Sequence, residues 1–284
     1  MSIIDNHHHF DGTEIPIDEL VEEFASKKYC IVKKYFSPEQ CDLLLDYSSG
    51  FEPSISFGHH YIMDTDMVRS LDFDKYEEVS SFAEKEKEYS SKNGLYPMSE
   101  LFINISVLRI KLMIRAYEKG AFPRRAFDGM FLYKKNNQIN NIGEYLLEDY
   151  WRKDFWGRFM SYMKEDDVLN PHKDAYGEIM AILFLTSPNT DYSGGLSIFE
   201  EQTKSEKCID DLCEQGDLLI LDGNAYLHWV DNIKNISGKG RKTFFVNGIL
   251  KHEYDSYLGI ERYSGNSNNI EDIKREMIDE YCKK

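Results

Sequence analysis

Apolar positions recur along this chain at two different spacings, and the change falls near residue 128. Before it, helical spacing predominates. IDELVEEFASKK (17–28) carries apolar residues three and four apart and predicts a helix, and YCIVKKYF (29–36) is a β-rich run. Ser37 then precedes Pro38 and Glu39, which places an N-cap hydroxyl and a first-turn proline at the start of SPEQCDLLLDYSS. Residues 74–92 and 98–118 read as two further helices, the second with a broad apolar face.

After residue 128 short β-rich runs alternate with turn residues. They are 130–135, 156–164, 178–186, 195–201, 217–223, 226–232 and 242–250, with SPNTDYSGG and NISGKG as turns and Gly194 and Gly195 inside the first of these. The tail from Asn269 to Lys284 returns to helical composition. The pattern predicts a mainly β fold with α decoration: an antiparallel double-stranded β-helix, or jelly roll. The expected layout is a single domain over 1–284. Residues 1–127 form a helix-rich layer and lid, 128–250 the β core, and 251–284 a helical tail.

Composition narrows the setting. At 42% hydrophobic and 14% aromatic residues the chain holds enough apolar surface for a substantial core. No stretch approaches the 18 or so apolar residues of a membrane span, and MSIIDNHHHFDG lacks the basic-then-apolar pattern of a secretory signal. A net charge of −16 repels a phosphate backbone, so nucleic acid is not an expected partner, and a cationic small molecule fits better. The five scattered cysteines (Cys30, Cys41, Cys208, Cys213 and Cys282) read as reduced thiols of a cytoplasmic protein. Cys208 and Cys213 lack the spacing and the second pair that zinc requires. Oligomeric state is not legible.

Candidate chemistry centres on NPHKDAYG (170–177). Side chains alternate along a strand, so His172 and Asp174 share one side while Lys173 points away. A His and a carboxylate so placed reach one ion, given a third ligand. Of the eight histidines, His228 has the best context, on a late strand soon after GDLLILDG. Two His and one carboxylate form a facial triad with three open positions, suited to non-haem Fe(II) oxygenases. Thirteen residues on, Arg241 and Thr243 share another strand face, where the planar guanidinium fork matches a carboxylate and the threonine adds a hydroxyl.

Residues 156–250 resemble the core of the Fe(II)/2-oxoglutarate-dependent dioxygenase superfamily, nearest its prolyl-4-hydroxylase-like branch. The resemblance is carried by PHKD, GGLSIFE, GDLLILDG, HWV and GRKT, with YCIVKKYFSPEQCDLLLD similar to that branch's opening strand and helix; residues 50–155 match nothing. It implies that His172, Asp174 and His228 hold Fe(II), that Arg241 with Thr243 binds the distal carboxylate of 2-oxoglutarate, and that O2 takes the remaining position. Tyr162, with Arg158 on the same expected face, stands where the branch places a tyrosine against 2-oxoglutarate. The implied reaction couples oxidative decarboxylation of 2-oxoglutarate to hydroxylation of a C–H bond. Related halogenases have a small residue where this chain has Asp174, so the carboxylate favours hydroxylation or a related desaturation or cyclisation.

Three functions follow as expectations. The first is an oxygenase acting on a small molecule such as an amino acid or specialised metabolite, the second a protein-residue hydroxylase. The third is a non-catalytic jelly-roll binding protein, disfavoured because drift would have removed one of the four site residues. DNHHHFDG (5–12) superficially resembles an amidohydrolase metal motif, but the chain lacks the repeated βα units and later ligands of that barrel. His59 and His60 have no context that ties them to a cavity.

Overall fold

The computed structural model describes residues 15–48, 68–71, 155–164, 167–174, 179–248, 261–262 and 269–283, with scattered positions between 101 and 120. His7–His9, His59, His60, the helix expected over 74–92 and the strand expected over 130–135 lie outside the described residues, as does the side chain of Arg158.

The N-terminal signals act as expected. Helix α1 (Ile17–Lys27) buries Leu20, Val21 and Phe24 and stops at Lys28, whose left-handed backbone (φ 56°) turns the chain into β1 (Tyr29–Val32). The strand is half the length of the β-rich run, because Lys34 again takes positive φ and reverses the chain before α2 (Pro38–Ser48). The Gln40 amide donates to Ser37 Oγ at 3.2 Å, the N-cap expected ahead of Pro38. Helical positions between 101 and 116 bury Leu101, Ile105, Leu108, Leu112 and Ala116, a stripe at helical spacing.

Two antiparallel sheets follow. The larger has strand order β1, β8 (Leu218–Asp222), β5 (Ile179–Phe184), β10 (Arg241–Gly248), β3 (Phe155–Tyr162) and β2 (Val68–Leu71). The smaller runs β11 (Glu261–Arg262), β4 (Leu169–Lys173), β9 (His228–Asn235), β6 (Tyr192–Glu200) and β7 (Ser205–Cys208). This is the expected jelly roll. Gly194 and Gly195 lie within β6, at a bulge, and not in a turn.

β8 reads Leu-Leu-Ile-Leu-Asp with every residue buried, because both faces of its sheet are covered. Leu219 and Leu221 face inward with Met180, Ile182, Phe184 and Tyr162, against Leu196, Ile198 and Val230 of the smaller sheet. Leu218, Ile220, Leu183 and Phe244 point outward yet are fully buried. The helices close that face: Arg109 Nη1 donates to the Ile179 carbonyl at 2.6 Å, and Cys41 Sγ lies 3.8 Å from the Phe184 carbonyl.

Helix α3 (Ile270–Tyr281) covers the outer face of the smaller sheet. Asn269 caps it by accepting from the Glu271 and Asp272 amides. Ile273 and Met277 pack on Phe199, Leu227 and Trp229, while Lys274 enters the interface and pairs with Asp231 at 2.8 Å. Lys173 indeed faces away from its neighbours His172 and Asp174, donating to Tyr281 Oη at 2.7 Å. Among the described residues no helix is long and apolar enough to cross a membrane.

Candidate active site

His172 owes its position to an irregularity. β4 pairs with β9 at Leu169↔Val230 and again at His172↔His228, so three steps on β4 match two on β9. In strict register Pro171 would face His228 and His172 would point outward. The extra residue is a bulge that turns His172 inward, directly opposite His228. The two imidazole centroids are 4.3 Å apart.

Each ring is anchored through its own backbone. His172 Nδ1 lies 2.7 Å from the Asn170 carbonyl and His228 Nδ1 3.1 Å from that of Tyr226. A carbonyl only accepts, so Nδ1 of each ring carries a proton, which leaves Nε2 as the atom of each ring that can serve as a ligand. Both Nε2 atoms turn to one carboxylate: His172 at 3.5 Å from Asp174 Oδ1, His228 at 3.4 Å from Oδ2. His228 Nε2 is buried and accepts no hydrogen bond.

Three electron-pair donors thus converge in a space that hides all three side chains from water, their ligand atoms within 4.8 Å of one another. Ligand atoms about 2.1 Å from one ion and roughly at right angles lie about 3 Å apart, close to what is seen. The residues fit a metal ion.

Loop residues 223–227, between β8 and β9, hold the Asp174 backbone. The Asp174 amide donates to the Gly223 carbonyl at 3.0 Å, and Asn224 Nδ2 to the Asp174 carbonyl at 2.6 Å. A Cβ at Gly223 would stand 2.1 Å from Asp174 Oδ2, so no other residue fits there with the carboxylate in place. Gly223→Ala is expected to displace Asp174 and weaken Fe(II) affinity by roughly 10–100-fold, the cost typical of losing an outer support, as measured by anaerobic metal titration.

Asp222 lies beside this loop, and burial pushes its carboxyl up to about 6 from 3.8. The folded protein therefore keeps this proton to higher pH than the unfolded chain. Its contribution to stability is complete below pH 3.8 and is lost as pH rises through about 6. In denaturant titrations of the metal-free protein, Asp222→Asn is expected to lose less stability than wild type across that window. Equal losses in the two proteins would refute the assignment.

Arg241 and Thr243 lie on the inner face of β10. They pair in register with Tyr162 and Met160 of β3, and both are buried. The guanidinium carbon sits 5.3 Å from the Tyr162 ring centroid and 5.7 Å from that of Phe184. Burial raises the Tyr162 phenol to about 12, which keeps it neutral. The larger sheet therefore brings Tyr162, Arg241 and Thr243 together. Arg158 occupies the register position opposite Phe245.

No family model matches the chain, and no curated protein does. Solved structures do. A prolyl-4-hydroxylase from Pseudomonas putida is 12% identical, with a TM-score of 0.45 over 83% of this chain and 99% of that one. HygX from Streptomyces hygroscopicus, solved with nickel and 2-oxoglutarate bound, is 12% identical at 0.36 over 82% and 87%. A prolyl hydroxylase from Trichoplax adhaerens, in complex with a hypoxia inducible factor peptide fragment, is 10% identical at 0.43 over 82% and 89%. These likenesses decide nothing about chemistry, which has to come from the convergent side chains.

Several site residues carry no motif. Asn224 and Gly223 follow a strand end that resembles any turn. Asp210 and Tyr192 lie 31 and 49 residues before Arg241, and only the folded sheets bring them to its guanidinium. The one local signal was the Asp-Gly pair closing GDLLILDG, a backbone reversal at the mouth of the β core.

Proposed function

We propose that this protein is an Fe(II)- and 2-oxoglutarate-dependent oxygenase that hydroxylates, or otherwise oxidises, a C–H bond of a small molecule. The convergence of two imidazole nitrogens on one buried carboxylate, with a buried guanidinium on the facing sheet, carries this reading.

His172, Asp174 and His228 would hold the iron, which supplies O2 activation coupled to decarboxylation of 2-oxoglutarate. Arg241 binds the distal carboxylate of the cosubstrate, and Thr243 adds a hydroxyl on the same face. The apolar walls formed by Ile182, Leu196, Ile198 and Leu219 exclude water. Both histidines keep their protons at Nδ1 and hold Nε2 for the metal. Arg158 and Tyr162 flank the cosubstrate in this proposal.

A small substrate is supported by the closed flank of the sandwich. Lys207, on edge strand β7, donates to Tyr29 Oη on edge strand β1 at 2.9 Å and ties the two sheets together. The charge of −16 favours a cation over an anion. The chain acts as one domain in this proposal. Five free cysteines suit a reducing, cytoplasmic setting.

Anaerobic addition of Fe(II) and 2-oxoglutarate should produce the weak visible charge-transfer band of the chelate. Candidate amines and amino acids that perturb the band are then tested for dependent succinate formation. Absence of any band at saturating metal and cosubstrate would exclude the reading.

A further inference from the structure

Arg241 already has a carboxylate partner within the chain. Asp210, fully buried in the short turn after β7, accepts from Arg241 Nε at 2.5 Å and from Nη2 at 3.2 Å. Tyr192 Oη donates to Asp210 Oδ2 at 2.8 Å. Space for this carboxylate comes from Gly195, whose backbone has φ 130° and where a Cβ would lie 2.2 Å from Asp210 Oδ2. Burial alone would disfavour the arginine's charge, but the Asp210 carboxylate outweighs it and holds Arg241 well above the ordinary range.

The two contacts use one edge of the guanidinium, the side formed by Nε and Nη2. Nη1 makes no hydrogen bond among the described residues. A planar fork held along one edge cannot swivel, so its other edge points in a single direction. We infer that Asp210 is a positioning residue for the cosubstrate: it fixes Arg241 by the Nε/Nη2 edge and leaves the Nη1 edge to receive the distal carboxylate of a 2-oxo diacid. The inference rests on the oxygenase reading above. Two opposed effects attend a second carboxylate at one arginine. It repels the incoming anion, and it fixes the donor geometry the anion needs. Because Asp210 has both its oxygens engaged by Arg241 and Tyr192, its charge is largely compensated, and orientation prevails.

The test compares two ligands that chelate iron identically, 2-oxoglutarate and 2-oxobutyrate, which lacks the distal carboxylate. Affinities are read anaerobically from the charge-transfer band of the Fe(II)-loaded full-length protein. Wild type should prefer 2-oxoglutarate by at least about tenfold, and Asp210→Asn should lower that preference about tenfold, the loss of one charge-assisted hydrogen bond. Affinity for 2-oxobutyrate should stay within about twofold, since the metal ligands are untouched. A general packing defect would weaken both ligands alike and overturn the inference, as would an unchanged or raised preference in Asp210→Asn. A wild type that gives the band but fails to distinguish the two ligands would overturn the inference alone, whereas absence of the band with either ligand would sink the oxygenase reading, and the inference with it. Should Asp210→Asn not fold, a structure of the wild-type complex decides: Asp210 retained on Nε and Nη2 supports the role, and displacement of Asp210 by the cosubstrate ends it.

Discussion

Asp174→Ala is expected to abolish Fe(II) binding without destabilising the metal-free protein. Deleting a buried acidic side chain usually costs stability, because its hydrogen-bond partners are left unsatisfied. Here the carboxylate stands 3.4 and 3.5 Å from the two Nε2 atoms, beyond the roughly 2.7–3.2 Å of a good hydrogen bond, so its removal breaks no strong contact. Wild type should gain about 2.7 kcal/mol of unfolding free energy once Fe(II) exceeds its Kd by about 100-fold, and the variant should gain almost none. The loss of metal affinity should exceed the roughly 10–100-fold typical of outer supports, because a ligand itself is gone. Anaerobic thermal unfolding with and without Fe(II) reads both quantities. Equal metal-induced shifts in variant and wild type would move the metal away from this triad.

Arg241→Met is expected to be among the most destabilising single substitutions in the chain. It leaves the fully buried Asp210 carboxylate without its counter-charge, which costs about 3–5 kcal/mol. That is a large share of the roughly 5–15 kcal/mol by which a domain is stable. Adding Asp210→Asn should return much of the loss, since the amide still accepts from Tyr192 and no longer carries charge. Chemical denaturation of wild type, both single variants and the double variant closes the cycle. Additive effects would mean that the two charges are not coupled. The double variant should still bind metal while losing its preference for a dicarboxylate ligand.

The sequence made the three converging residues legible and left their supports obscure, for physical reasons. His172, Asp174 and His228 stood out because a metal site needs particular donor atoms. Strand alternation placed Lys173 correctly on the far side, where it meets Tyr281. Alternation could not tell which side was inside. The bulge before His172 settles that, and an extra residue in one strand shows only against its partner. The larger sheet, apart from β2, was equally legible in its runs of buried apolar residues, with strand ends displaced by up to a few positions. β7 was missed because Ser205–Cys208 is a short, largely exposed edge with no apolar run. Asp210 was invisible because one of three aspartates in CIDDLCEQGD resembles solvated turn composition. Its burial follows from Gly195 clearing room on a neighbouring strand, a relation between two distant segments.

The pairing of β1 with β8 has a consequence for the timing of assembly. Tyr29 meets Leu221, a partner 192 positions along the chain, whereas the strands that carry the two histidines, with β6 beside them, all lie between Leu169 and Asn235. Closing the longer loop carries the greater entropic cost, and pairings of such separation make folding slow. The ligand-bearing sheet should therefore form before the opposite edge closes over it. In pulse-labelling hydrogen exchange during refolding, amides of β4, β6 and β9 should gain protection ahead of those in β1.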